Sequence, residues 1–358
     1  MHTRVIKPTI LTGPELDRYL ARGWYRIGQT MMTCRFVVFS DVLRSAVWTR
    51  LDLDQHGFRK SQRRVMRRIG EQLRVEITDP CIDAAHEAVY QRYRDVARGE
   101  RSATLTDFLY GDRPADLDVF DTREIRFIRE DGTPEGQLVG FSWFDLGDSA
   151  LQSLVGVYDP DFASLSLGYA SMLYEMRWGI ERGYRWFYPG YVLPGDTAMD
   201  YKLRAGAMEF LEHDGTWRPW EVFDPNRQAT RRLEQRLAEV RRHLEDRDVP
   251  HAQELYPMFE APAWHTNLAN CLPEPIVVTI PLAAPRNVLC VSWDMEREAY
   301  RLRRCLRASA ISRSVNDDLD DGTPVELFVV MAEVATREEP AAIAAVAADD
   351  KGRLPIVV

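Results

Sequence analysis

Two short apolar runs, one ending in Val155 and Val157 and the other spanning Tyr184 to Tyr191, bracket the segment that most restricts this chain's fold. Between them Leu165, Tyr169, Met172, Leu173, Met176 and Ile180 recur at helical spacing. Asp159-Pro160 marks the turn into that helix and Gly183 its end, and Gly190, Pro194 and Gly195 break the chain after the second run. A parallel strand pair needs a crossover of about this length, and such crossovers close with right-handed topology. The stretch from Val157 to Trp217 therefore reads as a βαβ unit followed by a loop, a short helix and one more strand.

Alternating segments at Gln137 to Leu146 and Leu151 to Tyr158 precede this unit. In that order the elements resemble the core of a GNAT-type acyltransferase, an α/β fold with a mixed sheet and flanking helices. Such enzymes carry a Q/R-x-x-G-x-G/A turn whose backbone N–H groups hold the coenzyme A pyrophosphate at the helix start. Here the turn is Ser164-Leu165-Ser166-Leu167-Gly168-Tyr169, with one glycine and neither Arg nor Gln. The coenzyme cradle is missing, and no cofactor is expected.

A second resemblance is more specific. Tyr158-Asp159-Pro160, Ser166-Leu167-Gly168-Tyr169-Ala170-Ser171, Tyr188-x-Gly190-Tyr191, Met199-Asp200-Tyr201-Lys202, and Glu209 followed by Gly215-Thr216-Trp217 occur in one order. Together they resemble the C-terminal domain of the aminoacyl-tRNA:protein transferases, the arginyltransferases and their bacterial leucyl relatives that act on N-terminal Asp and Glu. The alternating strand Val47 to Leu53, followed by Phe58-Arg59-Lys60-Ser61-Gln62-Arg63-Arg64-Val65-Met66-Arg67-Arg68, is similar to a strand, turn and helix in the same family's N-terminal domain. The chain departs from the family where relatives carry clustered cysteines. Those places fall near Ser40, Leu43 and Ala46, so the metal or iron–sulfur centre associated with the family's thiols is expected to be absent, with Leu43, Val47 and Trp48 as apolar replacements.

Bulk properties fit this reading. The chain has 358 residues, enough for several domains. The expected division is an N-terminal transferase-family domain over 1–120, a GNAT-like catalytic domain over 121–222, a helical connection over 223–265 and a small α/β or β-rich module over 266–358. No run approaches the roughly 18 apolar residues of a membrane span, and the first residues lack an export signal. The expectation is a cytoplasmic protein with neither membrane nor DNA among its partners. The five cysteines are dispersed without a C-x-x-C pair, so no metal site is read from the sequence. A net charge of −9 repels a polyanion unless positive charge is locally concentrated.

Such a concentration exists. Arg59, Lys60, Arg63, Arg64, Arg67 and Arg68 fall within ten residues, and Arg64, Arg67 and Arg68 share one helical face. They are candidate tRNA contacts; the alternative is a solvated surface helix. The resemblance implies attack by a free α-amine on the ester of an aminoacyl-tRNA, and the acceptor is a protein, a peptide or a small-molecule amine. An α-amine titrates near 7.7 to 8.0, so positioning matters more than a strong base.

The candidate catalytic residues are Asp159, Asp200 and Lys202, the last being one of only four lysines in the chain. Either aspartate would orient the amine, and Lys202 would hold an acidic side chain or the oxyanion; a turn and a surface lysine are the alternatives. Candidate substrate-binding residues are Tyr158, Ser166, Gly168, Tyr169, Tyr188, Gly190, Tyr191, Tyr201 and Arg204. Tyr169 or Tyr188 would stack on the terminal adenine. Two competing functions remain: an acyl-CoA-dependent acyltransferase, and a non-catalytic binding module.

Elsewhere the pattern predicts a helix over Glu15 to Gly23, one or two strands over Trp24 to Phe39, and a helix that Thr78-Asp79-Pro80 opens and that runs to Gly99. Tyr90, Arg92, Tyr93 and Arg94 on that helix stack on nucleotides or belong to the core. A long charged helix begins at Asp224-Pro225-Asn226 with Leu233, Leu237, Val240 and Leu244 as its stripe. Strands follow at Ile276 to Ile280, Val288 to Trp293 and Val325 to Val334, with Met295 to Leu306 helical between the last two. Cys290 reads as a buried thiol, and Asn316 to Gly322 as an exposed acidic loop.

Overall fold

The computed structural model describes residues 2–39, 41–97, 102–111, 119–196, 199–311 and 324–351. The chain opens with β1 (Thr3–Ile6) and α1 (Gly13–Leu20), where the Glu15 carboxylate accepts from both the backbone and the hydroxyl of Thr12. Three short strands follow, β2 (Tyr25–Ile27), β3 (Thr30–Cys34) and β4 (Phe36–Phe39), where the sequence allows one or two. Gly28 supplies the positive φ for the turn between the first pair. Then come β5 (Val42–Ser45), β6 (Val47–Asp52), α2 (Lys60–Gly70), β7 (Arg74–Thr78), α3 (Ala84–Arg94) and α4 (Leu105–Tyr110).

The central part holds β8 (Thr122–Arg129), β9 (Gln137–Leu146), β10 (Ala150–Tyr158), α5 (Leu167–Glu181), β11 (Trp186–Val192), β12 (Met208–Leu211) and β13 (Trp217–Pro219). Eight strands form one mixed sheet in the order β13-β12-β6-β11-β10-β9-β8-β7. Strands from both sides of residue 120 share it. The β10–β11 pair is parallel and the others are antiparallel, so the βαβ unit forms as its spacing requires. The alternation along β6 predicts a half-buried strand; in the sheet β11 and β12 pair with its edges, α1 packs on one face and α5 with α2 on the other, and Val47, Trp48, Thr49 and Leu51 are all buried.

One face of this sheet carries α5 and α2, with Leu51, Leu151 and Phe187 of the sheet meeting Met172, Met176, Met66 and Ile69. The opposite face is covered in two places. Helix α1 packs Leu16 and Leu20 on Trp48 and Tyr188, and α3 and α4 pack Val89, Tyr90, Leu105 and Leu109 on Phe141, Trp143 and Val157. The start of α3 differs from the sequence expectation. Asp83, not Thr78, caps it by accepting from the backbone of Ala85 and His86, and Thr78 instead ends β7.

After the sheet come α6 (Ala229–Glu245), β14 (Ala252–Leu255), α7 (Ala261–Trp264), β15 (Ile276–Pro281), β16 (Asn287–Asp294), β17 (Ala299–Ile311), β18 (Pro324–Arg337) and α8 (Pro340–Lys351). The five strands form an antiparallel sheet in chain order. The α6 stripe Leu233, Leu237, Val240 and Leu244 is fully buried against it; each such side chain contributes about 1.5–3 kcal/mol.

The helix expected over Met295 to Leu306 is instead β17. Tyr300 and Leu302 alternate with Arg301 and Arg303, and pairing on both edges holds the strand. Arg303 is buried and bonds both oxygens of Glu274, at 2.7 and 2.8 Å. Cys290 is buried, and the neighbouring Cys305 thiol together with burial keeps it well above the usual thiol range. No helix among the described residues is long and apolar enough to cross a membrane. Most of the acidic segment 112–121 and the whole acidic loop 316–322 lie outside the described residues.

Candidate functional site

Strands β10 and β11 pair at only three positions, Ala150 with Trp186, Leu151 with Phe187 and Gln152 with Tyr188. Beyond them β10 follows β9 as far as Tyr158 opposite Gly140, while β11 follows β6 through Gly190, Tyr191 and Val192. Register shifts between Ser153 and Val155, and between Phe187 and Gly190, accompany the parting. A fork is left at the carboxyl ends of the parallel pair, the place where open α/β sheets bind ligands.

The start of α5 forms one side of the fork. A 3-10 turn over Pro160–Leu165 delivers the chain to Ser166, whose φ of 55° places it in the left-handed region. Gly168 and Gly156 let helix and strand approach closely: a Cβ on Gly156 would sit 3.6 Å from the Gly168 Cα and 3.3 Å from the Ser171 hydroxyl. Asp159 caps the turn by accepting from the Asp161 N–H, and its other oxygen accepts from the Arg92 guanidinium at 2.7 Å. Arg92 also reaches Asp161 at 2.8 Å. Asp159 is therefore a latch that ties the turn before α5 to α3, with one bond on each oxygen.

Arg92 is likewise occupied rather than free to stack on a base. Tyr90 is core, with its hydroxyl donating to the Ser102 carbonyl, and Tyr93 meets the Tyr158 ring edge-on at 5.3 Å.

The other side is the 3-10 segment Asp200–Ala205. The Lys202 ammonium reaches back to β11 and donates to the Tyr191 carbonyl at 3.0 Å. Gly190, with φ of 97°, clears its path, since a Cβ there would lie 3.1 Å from Nζ. Lys202 is half-buried, and desolvation lowers its pKa to about 8. Tyr201 packs against the core beneath α5, whereas Asp200 is exposed.

Three side chains clamp the end of this segment. The Tyr169 hydroxyl donates to the Arg204 carbonyl at 3.0 Å, the Arg59 guanidinium donates to the same oxygen, and the Gln62 amide donates to the Ala205 carbonyl at 2.6 Å. The first turn of α2 is thereby fixed beside Lys202 and the start of α5. Arg59, Lys60, Arg63, Arg64, Arg67 and Arg68 are all exposed along this helix.

Two expected stacking contacts do not survive. Tyr188 is 1 % exposed, lies against Trp48 with ring centroids 5.7 Å apart, and is pushed up to about 12 by burial. Tyr169 is buried with the Arg204 guanidinium 4.8 Å from its ring centroid, so neither ring offers a free face to an adenine. Tyr191 also points away from Lys202: its hydroxyl donates to the Gly23 carbonyl at 2.7 Å on the opposite side of the sheet. Its contribution to the fork is the backbone carbonyl.

Several residues escaped the sequence reading. Gln62 carries no charge, and its importance shows only through its partners. Glu175 lies within the apolar surface of α5, fully buried, with its carboxyl raised to about 7 by burial and 2.6 Å from the Ser142 hydroxyl. Ser142 in turn donates to the Val155 carbonyl at the β10 irregularity. Arg50 also escaped that reading: the motif residue Glu209 accepts from its guanidinium at 2.7 Å, and that group lies between the rings of Trp186 and the motif residue Trp217 at 3.6 and 4.1 Å.

The one potential metal-ligand group among the described residues is Cys81, Asp83 and His86, whose ligand atoms lie within 4.8 Å of one another. His86 already bonds Asp83 at 2.8 Å and the buried Glu124 at 2.6 Å, contacts that tie α3 to β8.

The family model described as arginine-tRNA-protein transferase, C terminus, matches residues 85–212. The aspartate/glutamate leucyltransferase of Helicobacter hepaticus is 26% identical over 235 residues, covering 62% of this chain and 89% of its relative. That of Stenotrophomonas maltophilia (strain R551-3) is 30% identical over 189 residues, covering 51% and 70%. Among solved structures, FemX aligns with a TM-score of 0.36 at 11% identity, over 57% of this chain and 67% of that one. From its motifs and these relatives, the chain belongs to the aminoacyl-tRNA:protein transferase family.

Proposed function

We propose that this protein moves an amino acid, of the arginyl or leucyl type, from its tRNA to the α-amine of a protein or peptide with an acidic N-terminal residue. The names of the relatives and the match over residues 85–212 support the transfer. The order β9, β10, α5, β11 with its fork supports a GNAT-like core, and the turn at Ser164 to Tyr169, without the coenzyme glycines, supports a donor other than coenzyme A.

The observation that carries the site assignment is Lys202. Burial lowers its pKa to about 8, and among the described residues no carboxylate pairs with it. A half-buried ammonium without a counter-ion is a place for a ligand's negative charge. In this reading it holds the acceptor's side-chain carboxylate or the oxyanion formed when the amine nitrogen attacks the ester carbonyl. The tetrahedral species then collapses, the C–O bond to the tRNA ribose breaks, and the proton lost by nitrogen passes to that oxygen. Orientation of two bound reactants supplies roughly 7–11 kcal/mol, and one well-aimed donor on the oxyanion about 3 kcal/mol.

The test is to incubate the protein with charged tRNAs and peptides beginning in Asp, Glu or Ala and to follow labelled amino acid into peptide. Transfer to Asp and Glu peptides above Ala is expected. Stabilisation by acetyl-CoA without any transfer from tRNA overturns the reading.

A further inference from the structure

The face of α2 turned toward α5 and β7 borders an open depression of about 640 Å³. Its lining includes Arg63, Arg67, Arg74 and Arg177, no carboxylate, and an apolar floor to which Phe58 and Tyr174 contribute. In a chain of net charge −9 this concentration of guanidinium groups is a strong local exception.

The arginines differ in availability. Arg74 is bound by Glu76 and by Glu130 at 3.0 Å, whereas Arg67 is 3.7 Å from Glu71 and Arg177 is 3.9 Å from Glu181. The side chains of Arg67 and Arg177 are 73% and 47% exposed, and loose exposed pairs of this kind are worth little. The Arg177 guanidinium lies 4.6 Å from the Tyr174 ring centroid, so its outer face is a flat cationic platform backed by an aromatic ring. Cationic rim and apolar floor together suit a nucleotide, the base lying on the platform and the phosphate meeting Arg63 and Arg67.

Its position is also informative. Arg59, at the first turn of α2, donates to the Arg204 carbonyl two residues from Lys202. One to two helical turns separate Arg59 from Arg63 and Arg67, which at 1.5 Å per residue is roughly 6–12 Å along the axis.

We infer that this depression holds a nucleotide of the unpaired 3′ strand of the donor tRNA, placed so that the aminoacyl end reaches the fork at Lys202. The assignment rests on the tRNA-dependent reading above and adds a nucleotide site that this reading does not require. A free nucleotide has the same chemistry, so coenzyme A is the control ligand.

The experiment measures tRNA affinity by fluorescence anisotropy across a salt series, with wild type, Arg67→Glu/Arg177→Glu, the milder Arg67→Gln/Arg177→Gln and Lys202→Met. Wild type is expected to bind in a salt-dependent manner. The Glu pair is expected to lose at least tenfold in affinity and about two in the log–log salt slope; the Gln pair loses less, and Lys202→Met stays within twofold.

Wild-type tRNA binding that both arginine pairs leave unchanged overturns the nucleotide site while sparing the transferase reading. Failure of wild type to bind any tRNA overturns both, as does coenzyme A binding that the arginine pairs abolish in a protein that ignores tRNA. Circular dichroism of the Gln pair checks that the fold is retained.

Discussion

The Gln62 side-chain amide donates to the Ala205 carbonyl at 2.6 Å, while its oxygen accepts from the Arg59 N–H at 2.8 Å. One neutral side chain thus closes the first turn of α2 and fixes the segment that carries Lys202. Truncation would leave the buried Ala205 carbonyl without its donor. Gln62→Ala is expected to cost about 2–3 kcal/mol, read as a lower urea midpoint, and to reduce transfer more than binding of tRNA. A variant with wild-type stability would show that the clamp is redundant.

Gly190 faces two constraints, its φ of 97° and the Lys202 ammonium beside it. The lysine end can move by a few tenths of an ångström, but the backbone angle remains unfavourable for any other residue. Gly190→Ala should therefore cost about 1–3 kcal/mol and shift Lys202. Thermal unfolding and turnover of the same preparation check both effects.

Glu175 gives the fold a definite pH dependence. Its pKa is about 7 in the folded chain and near 4.5 when unfolded, because burial disfavours the charged form. A raised folded value means the neutral carboxyl costs nothing below about pH 4.5, and the penalty grows as pH rises through 7. The limiting penalty is about 3 kcal/mol. Glu175→Gln should be more stable than wild type at pH 8 and show a flatter stability profile between pH 4.5 and 7, as measured by urea denaturation. Equal slopes for the two proteins would contradict this.

Lys202 titrates at a lower pH than an ordinary surface lysine. Desolvation lowers its pKa to about 8, so the ammonium is present below that pH and lost above it. If the charge holds an acidic side chain or oxyanion, transfer to an Asp-peptide should fall as pH rises past 8, against the growing fraction of free amine. Lys202→Arg, which stays charged, should move this fall upward where it is active, and Lys202→Met should lose at least tenfold in kcat/KM. An unaltered alkaline limb in Lys202→Met would assign the fall to another group.

Breaking the Arg92 latch should loosen the turn before α5. Asp159 is buried, and without the guanidinium its charge lacks a partner. Arg92→Gln is expected to raise the KM for aminoacyl-tRNA several-fold, with a smaller effect on kcat; a wild-type KM would remove any role for this ion pair in placing the turn.

The sequence made the βαβ unit and the α6 stripe legible because their apolar spacing repeats over several turns or strands. It also singled out Lys202, since a lone lysine among arginines is conspicuous. Less visible were features that depend on neighbours distant in sequence. Tyr188 and Tyr169 look like stacking platforms until Trp48 and Arg204 are seen to occupy their faces. Asp159 reads as a group that orients the amine until Arg92, 67 residues earlier, is found latched to it. Met295 to Leu306 reads as a helix in isolation, but its residues form β17, paired on both edges, and Arg303 is buried through Glu274 from a separate part of the chain.

Strand β6 lies between β11 and β12, so residues made early wait inside the sheet for neighbours made much later. On the ribosome, residues 47–52 have no permanent edges until residues 186–211 have emerged. Removing the first fifty residues would accordingly not yield a smaller working enzyme; it would leave a sheet with its middle missing and the edges of β11 and β12 bare, ready to pair with other chains.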